Sequence, residues 1–213
     1  MDEENLKSLS ARHETLTPET ILATAITTVP RLTFACSFGA EDMVLLDMLM
    51  TKRAKVNVFY VDTNVLFEET YDLIQQVADH YTIPDLTRIE PALSLSAQAR
   101  NYGDALWAAD PNQCCSIRKV EPLSRHLKQY DGWITGIRRD QSPTRAHAQT
   151  FEWDKKFNLI KINPFILWTA EDVWQYIRDH EVPYNPLHNM GYPSIGCVHC
   201  TRPLRAGEGV RGE

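Results

Sequence analysis

Four of the chain's five cysteines fall into two tight clusters, Cys114-Cys115 and Cys197-x-x-Cys200, far apart in sequence. Adjacent cysteines make a strained disulfide, because their Cα atoms cannot reach the relaxed bridging geometry. A Cys-x-x-Cys turn instead points two thiolates at one centre, and soft thiolate sulfur selects zinc, copper(I) or iron–sulfur clusters. A fold that uses all four must carry the two distant segments to one buried metal centre with four cysteine ligands. The other role open to them is that of small buried core residues.

A length of 213 residues suits one domain, or one with an appendage, and 43% apolar with 23% charged residues is ordinary for a globular chain. The net charge of −6 argues against bulk nucleic-acid binding, although a few converging arginines can still hold an anion. The opening MDEENLKSLSARHETL lacks the apolar core of a signal peptide, and no run approaches a membrane span. Few cysteines and no export signal lead to the expectation of a cytoplasmic protein, where clustered cysteines bind metal or react rather than form disulfides.

Residues 1–30 read as helical, with Thr17-Pro18-Glu19 opening a segment that Pro30 closes. Short apolar runs at Leu32–Cys36, Val56–Val61, Leu86–Ile89, Gly132–Gly136 and Leu159–Ile162 read as strands. Helical spacing follows at Glu41–Met50, Glu68–His80 and Ser116–Tyr130, and Thr169-Ala170-Glu171-Asp172 opens a further helix through Arg178. This alternation predicts an α/β fold, a mostly parallel twisted sheet with helices on both faces, followed from Asn185 by an irregular segment rich in proline and glycine. A single domain over 1–213 is expected, with an N-terminal helical segment at 1–30 and an irregular C-terminal segment at 185–213.

Ligands collect at the carboxyl ends of such strands, where the loops Ser37–Asp42, Asp62–Asn64 and Gly136–Arg145 lie. In the first, Gly39 permits a tight turn into a helix N-terminus, which reads either as an anion site or as an ordinary turn with a hydroxyl cap. The third carries three arginines, Arg138, Arg139 and Arg145, whose forks suit phosphate or sulfate unless the loop is merely solvated. Lys119 stands four residues after Cys115, so a regular helix would stack the two on one face. His147, His188 and His199 are candidate ligands or acid–base groups that serve equally as structural histidines.

Taken in order, CSFGAED, VDTN, CC-x3-K, GIRRDQSPTR and NPLHNMGYPSIGCVHCTRP resemble the assimilatory adenylyl-sulfate reductases of the adenosine-nucleotide α-hydrolase-like (PP-loop) group, from about residue 30 onward. The resemblance implies a [4Fe–4S] cluster on Cys114, Cys115, Cys197 and Cys200. It implies that Ser37, Gly39 and Glu41 surround the nucleotide phosphate of adenylyl sulfate or AMP, with Val61 and Gly136 near the adenosine. Lys119, Arg138 and Arg211 become candidates for the phosphosulfate, and thioredoxin becomes the reductant, with a homo-oligomer conceivable. The loop departs from the SGGxDS pattern of ATP pyrophosphatases, with Phe38 in place of a glycine and Asp42 in place of the final serine. That leaves less room and fewer donors for a triphosphate.

One further departure concerns the nucleophile. The family carries it in a C-terminal Glu-Cys-Gly-Leu-His tail, whereas this chain ends Arg211-Gly212-Glu213 with no cysteine after Cys200. No catalytic residue is therefore expected among these residues, and Cys36 reads as a packed strand residue. Two other functions stay open: reduction of 3′-phosphoadenylyl sulfate, alone or beside adenylyl sulfate, and a zinc-binding nucleotide module without redox chemistry.

Overall fold

The computed structural model describes residues 2–83 and 86–205; Arg211 and the end of the 185–213 segment lie outside the described residues. Among them, strands Leu32–Ala35 (β1), Asn57–Val61 (β2), Leu86–Ile89 (β3), Gly132–Ile134 (β4), Phe151–Asp154 (β5) and Leu159–Ile162 (β6) form a sheet of order β3-β2-β1-β4-β6-β5. The helices are Glu3–His13 (α1), Pro18–Thr28 (α2), Ala40–Thr51 (α3), Glu68–Tyr81 (α4), Leu95–Tyr102 (α5), Leu106–Ala109 (α6), Pro111–Cys115 (α7), Glu121–Leu127 (α8) and Ala170–Asp179 (α9). The chain divides into two compact units: Met1–Phe59 with Leu127–Tyr184, and Tyr60–His126 with Asn185–Glu213.

In the first unit β1 pairs in parallel with β2 and β4, setting Phe34 opposite Val58 and Ile134, and β4 continues in parallel to β6 with Ile134 opposite Ile162. Parallel strands are covered on both faces, and Phe34, Ile134 and Ile162 are fully buried. The helix α3 is apolar nearly all round, so it can only be internal: Met43, Val44, Leu45, Leu46, Met48 and Leu49 are all buried. Its one buried acid on the α9 side, Asp47, accepts from the Tyr176 hydroxyl of α9 at 2.9 Å. Burial and then this carboxylate hold the Tyr176 hydroxyl protonated by raising its pKa.

The predicted helical stretch at 1–30 is two helices. Asp2 caps α1 by accepting from the Asn5 amide at 2.8 Å, and Thr17 caps α2 with Pro18 in its first turn. Thr169 and Asp172 form the expected capping box of α9, with the Thr169 amide donating to Asp172 at 2.7 Å. The edge strand β5 is an addition to the expected strands. It runs antiparallel to β6, Trp153 opposite Ile160, through a hairpin whose Asn158 adopts φ 58°. Its sequence FEWD alternates large apolar with acidic residues over only four positions, too short a run to register as a period.

The second unit holds the greater departures. Between β3 and Ser116, a stretch in which the sequence marks no element, three short helices follow one another. Ser94 caps α5 by accepting from the Ala97 amide at 3.1 Å, and Gly103, at φ 89°, ends it. Asp110 caps α7 by accepting from the Gln113 amide at 2.9 Å. The chain then widens into a single π-helical turn, Ser116–Val120, before α8. Lys119 therefore does not stand over Cys115 on a regular helix face; a π turn carries more residues per revolution and rotates it away.

His126 on α8 is half-buried, and desolvation holds its pKa below the usual 6.5. The folded chain thus binds fewer protons than the unfolded one as pH falls through that value, so acidification costs stability. The melting temperature is expected to drop between about pH 7.5 and about pH 5.5, and His126→Gln to flatten part of that slope. Equal slopes for the two proteins would remove His126 as a cause.

Candidate functional site

In the first unit, the loop leaving β1 is held by its own helix. The Ser37 amide and hydroxyl both donate to Asp42 Oδ2 on the first turn of α3, at 2.7 and 2.5 Å. Gly39 occupies the N-cap and offers no side chain to the amides of that turn. The Ser37 hydroxyl also accepts from the Gly39 amide at 3.4 Å, and no side chain caps the first turn of α3. The amide end of α3 is left as an anion-attracting terminus. Phe38 sits at φ 60°, where glycine is unstrained, and its side chain is 2% exposed. Burial of the ring offsets a backbone cost of about 1 kcal/mol.

The loop after β4 lies against the same turn. A Cβ on Gly136 would stand 2.5 Å from Asp42 Oδ1 and 2.8 Å from the Glu41 Cβ, so only glycine lets the two segments meet. Arg138, 7% exposed, pairs with Glu41 through Nη1 and with Asp140 through Nε at 2.9 Å. Gln141 donates to the same Glu41 oxygen at 2.8 Å and accepts from Arg145. Ser37, Gly39, Glu41, Gly136 and Arg138 are thus brought together, with the Arg138 cation already engaged by carboxylates.

In the second unit, a cavity of about 380 Å³ is lined by all four clustered cysteines, together with Thr63, Gln98, Trp107, Arg118, Lys119 and His199. Cys114 and Cys197 are half-buried, Cys115 and Cys200 exposed. Cys197 is fixed by a bridge to Leu66 and by the Val198 amide donating to Val65 O at 2.9 Å. Burial, and then the neighbouring thiols, push the Cys200 thiol pKa up. Burial does the same at Cys114, against a hydrogen bond from Gln98 and the Arg118 charge, which pull it down. Crowded thiolates repel one another, and a bound cation reverses that penalty. Among the described residues no three His, Cys, Asp or Glu side chains meet closely enough to hold a single metal ion.

Arg118, on the π turn, is 2% exposed. Its Nε donates to Thr63 O at 2.7 Å, Nη1 to Gln98 Oε1 at 3.0 Å and Nη2 to Asn64 Oδ1 at 2.8 Å. Desolvation lowers its pKa against the pull of Cys114, Cys197 and Asp62. The same partners reach the thiols: the Thr63 hydroxyl lies 3.3 Å from Cys197 Sγ, and the Gln98 amide donates to Cys114 Sγ at 3.9 Å. The Asp62–Asn64 loop is itself pinned by buried Asp62, which accepts from the Asn64 amide at 2.7 Å and the Tyr71 hydroxyl at 2.8 Å and pairs with Arg88 at 2.6 Å. The Tyr71 hydroxyl pKa is pushed up to about 12 by burial and then by Asp62.

Val61 ends β2 at the start of this loop, and Lys119 is an exposed member of the cavity lining. The sequence points to Lys119 as the cation near the thiols, whereas its neighbour Arg118 is the one that is buried. Thr63 lies within the VDTN motif; Gln98 and Trp107 carry no signal in the sequence at all. Of the histidines, only His199 enters the lining of the cysteine cavity.

The family model of the phosphoadenosine phosphosulfate reductase domain matches residues 31–203. The adenosine 5′-phosphosulfate reductase 2 of Bacillus subtilis is 51% identical over 173 residues, 81% of this chain and 73% of that protein. The adenosine 5′-phosphosulfate reductase of Shouchella clausii is 48% identical over 181 residues, 85% of this chain and 75% of that protein. The phosphate complex of the phosphoadenylyl-sulfate reductase from Candida auris superposes with a TM-score of 0.85 at 33% identity, covering 95% of this chain and 98% of that one. With its sheet order, its glycine-tight loop and its cysteine-lined cavity, this chain belongs to the phosphoadenosine phosphosulfate reductase family.

Proposed function

We propose that this chain binds adenylyl sulfate and serves its thioredoxin-dependent reduction to sulfite and AMP, with a [4Fe–4S] cluster on Cys114, Cys115, Cys197 and Cys200. The observation that carries this reading is the convergence of four thiols on one cavity, in a chain about half identical to reductases named for adenosine 5′-phosphosulfate. The donor set fits such a cluster. A cluster of several irons would be held by thiols that line one space rather than meet at a point, as Cys114, Cys115, Cys197 and Cys200 do. Bound there, the cluster supplies metal charge that lets all four thiolates persist together.

The protein's own residues have divided roles. The amide end of α3 and the Ser37–Gly39 loop receive the nucleotide phosphate, which Gly136 leaves room to approach. Arg138 supplies cationic hydrogen bonds for the phosphosulfate by exchanging Glu41 for the ligand's anion. In the reduction, a cysteine thiolate attacks the sulfate sulfur; an S–S bond forms as the S–O bond to AMP breaks, and AMP leaves with the electron pair. A dithiol then supplies two electrons, releases sulfite and becomes a disulfide. None of the chain's five cysteines suits that attack: four face the cavity, and Cys36 is 2% exposed with a pKa raised well above normal by burial and Asp42.

Anaerobic purification is expected to give brown protein with about four irons per chain, and labelled adenylyl sulfate to bind without leaving a protein-bound sulfite adduct. Colourless protein holding one zinc per chain points to the non-redox module, and a stable adduct on these 213 residues refutes the placement of the nucleophile. The likeness to the Candida auris enzyme favours a second reading, 3′-phosphoadenylyl sulfate as substrate. Competition of the two nucleotides decides, and the higher identity to adenosine 5′-phosphosulfate reductases leads us to expect tighter binding without the 3′-phosphate.

A further inference from the structure

The cysteine-bearing segments of the second unit are tied together at two ends. At the inner end the tie is polar and buried, running from Arg118 through Thr63 to Cys197. At the outer end it is aromatic: the Trp107 indole and the His199 imidazole stack with centroids 4.6 Å apart and planes 9° apart. Trp107 belongs to α6, which is anchored by buried Leu106 and runs through Asp110 directly into α7 and Cys114-Cys115. His199 lies between Cys197 and Cys200. The Cys197 side of its turn is fixed by Leu66 and Val65, whereas the Cys200 side is held by the Cys200 amide on Cys197 O at 3.0 Å, the Gly196 amide on Thr201 Oγ1 at 3.1 Å and, further on, the Leu204 amide on Gly191 O at 2.9 Å, none of which reaches α6 or α7.

We propose that the Trp107–His199 stack is a clasp that sets the position of the two exposed thiols, Cys115 and Cys200, and limits how fast solvent-borne oxidants and electrophiles reach them. Trp107 is thereby a positioning residue that touches neither nucleotide nor metal. Trp107 and His199 both line the cavity, and their stack joins the Cys200 side of the turn to α6, so its loss frees that side. In the cluster-bearing protein, and there resting on the function proposed above, the same clasp slows oxidative loss of the cluster.

Alkylation of the metal-free, reduced full chain by iodoacetamide, mapped by peptide mass spectrometry, tests the clasp directly. Trp107→Ala is expected to speed modification of Cys115 and Cys200 about 2- to 10-fold, the opening factor that one aromatic pair contributes. Cys36, buried in the first unit, stays unreactive and reports that the fold is intact. Trp107→Phe keeps most of the protection, and His199→Ala, at an exposed position, reproduces the loss. The double variant reacts no faster than either single, as two halves of one contact require. In anaerobically loaded protein the visible absorbance fades in air faster for Trp107→Ala by a similar factor. Unchanged Cys115 and Cys200 rates in both single variants, or an equal rise at Cys36, overturn the proposal. Iron-free wild-type protein would instead sink the cluster reading and leave the thiol measurement valid.

Discussion

Replacing Arg118 with methionine is expected to lower folding stability by about 3 kcal/mol and to abolish efficient loading of the cluster proposed for the four cysteines. The guanidinium is 2% exposed and donates to Thr63 O, Gln98 Oε1 and Asn64 Oδ1, and two of these acceptors, on Thr63 and Gln98, belong to buried residues. Hydrogen bonds from a charged group contribute about 1.5–3 kcal/mol each, while removing a buried charge returns part of its desolvation cost. The balance remains unfavourable because several acceptors are orphaned together. Two of those partners also orient thiols: Gln98 at Cys114 and Thr63 at Cys197. Metal content should therefore fall more steeply than stability, the mark of lost outer support around a metal site. Arg118→Lys is expected to be intermediate, since an ammonium keeps the charge and loses the planar fork. Urea denaturation with iron analysis checks both effects; a shift below about 0.5 kcal/mol, with normal loading, would show that the buried guanidinium is dispensable.

The second large effect is expected at Gly136. A single methyl group there meets Asp42 Oδ1 at 2.5 Å and Glu41 Cβ at 2.8 Å, distances that no side-chain rotation around the new Cβ can relieve. Either the start of α3 moves or Asp42 swings away, and Asp42 is what holds the amide and hydroxyl of Ser37. Overpacking of this kind costs about 1–3 kcal/mol in stability. AMP affinity should fall at least about tenfold in Gly136→Ala, because about 1.4 kcal/mol of misplacement at the binding loop already gives that factor. Isothermal titration with AMP measures it, and melting temperature separates local from global damage. Wild-type affinity with a normal melting temperature would place the nucleotide elsewhere. Glu41 is close by and offers a contrast: Glu41→Gln removes the carboxylate engaging Arg138 without adding bulk. It should leave the loop intact.

Much of this protein is readable in short stretches of sequence. The strands β1, β2, β3, β4 and β6 and the helices α3, α4 and α9 follow from apolar runs, caps and prolines, which act over a few residues. Residues Thr17, Pro18, Thr169 and Asp172 mark helix starts through hydrogen bonds made within one turn. The strand β5 and the helices α5 to α7 escape such reading because each is brief, and their stability comes from what they pack against. The π turn at Ser116–Val120 escapes for a related reason: one residue's change in winding has no compositional signature.

The site divides in the same way. Sequence alone raised the expectation that four cysteines in two clusters share one centre and that the loops after β1 and β4 carry ligand chemistry, and it determined to which family the motifs bear likeness. Thiol chemistry and loop glycines are properties of the residue types themselves. Only the tertiary structure decided that Ser37 answers to Asp42, that Arg118 rather than Lys119 is the buried cation, and that Trp107 meets His199 across the cysteine cavity. Each of those outcomes is a pairing of polar or aromatic groups, and all but the first join residues distant in sequence. Burial decides which partner a group must take, because a charge or donor withdrawn from water has to be satisfied by whatever the fold has placed beside it.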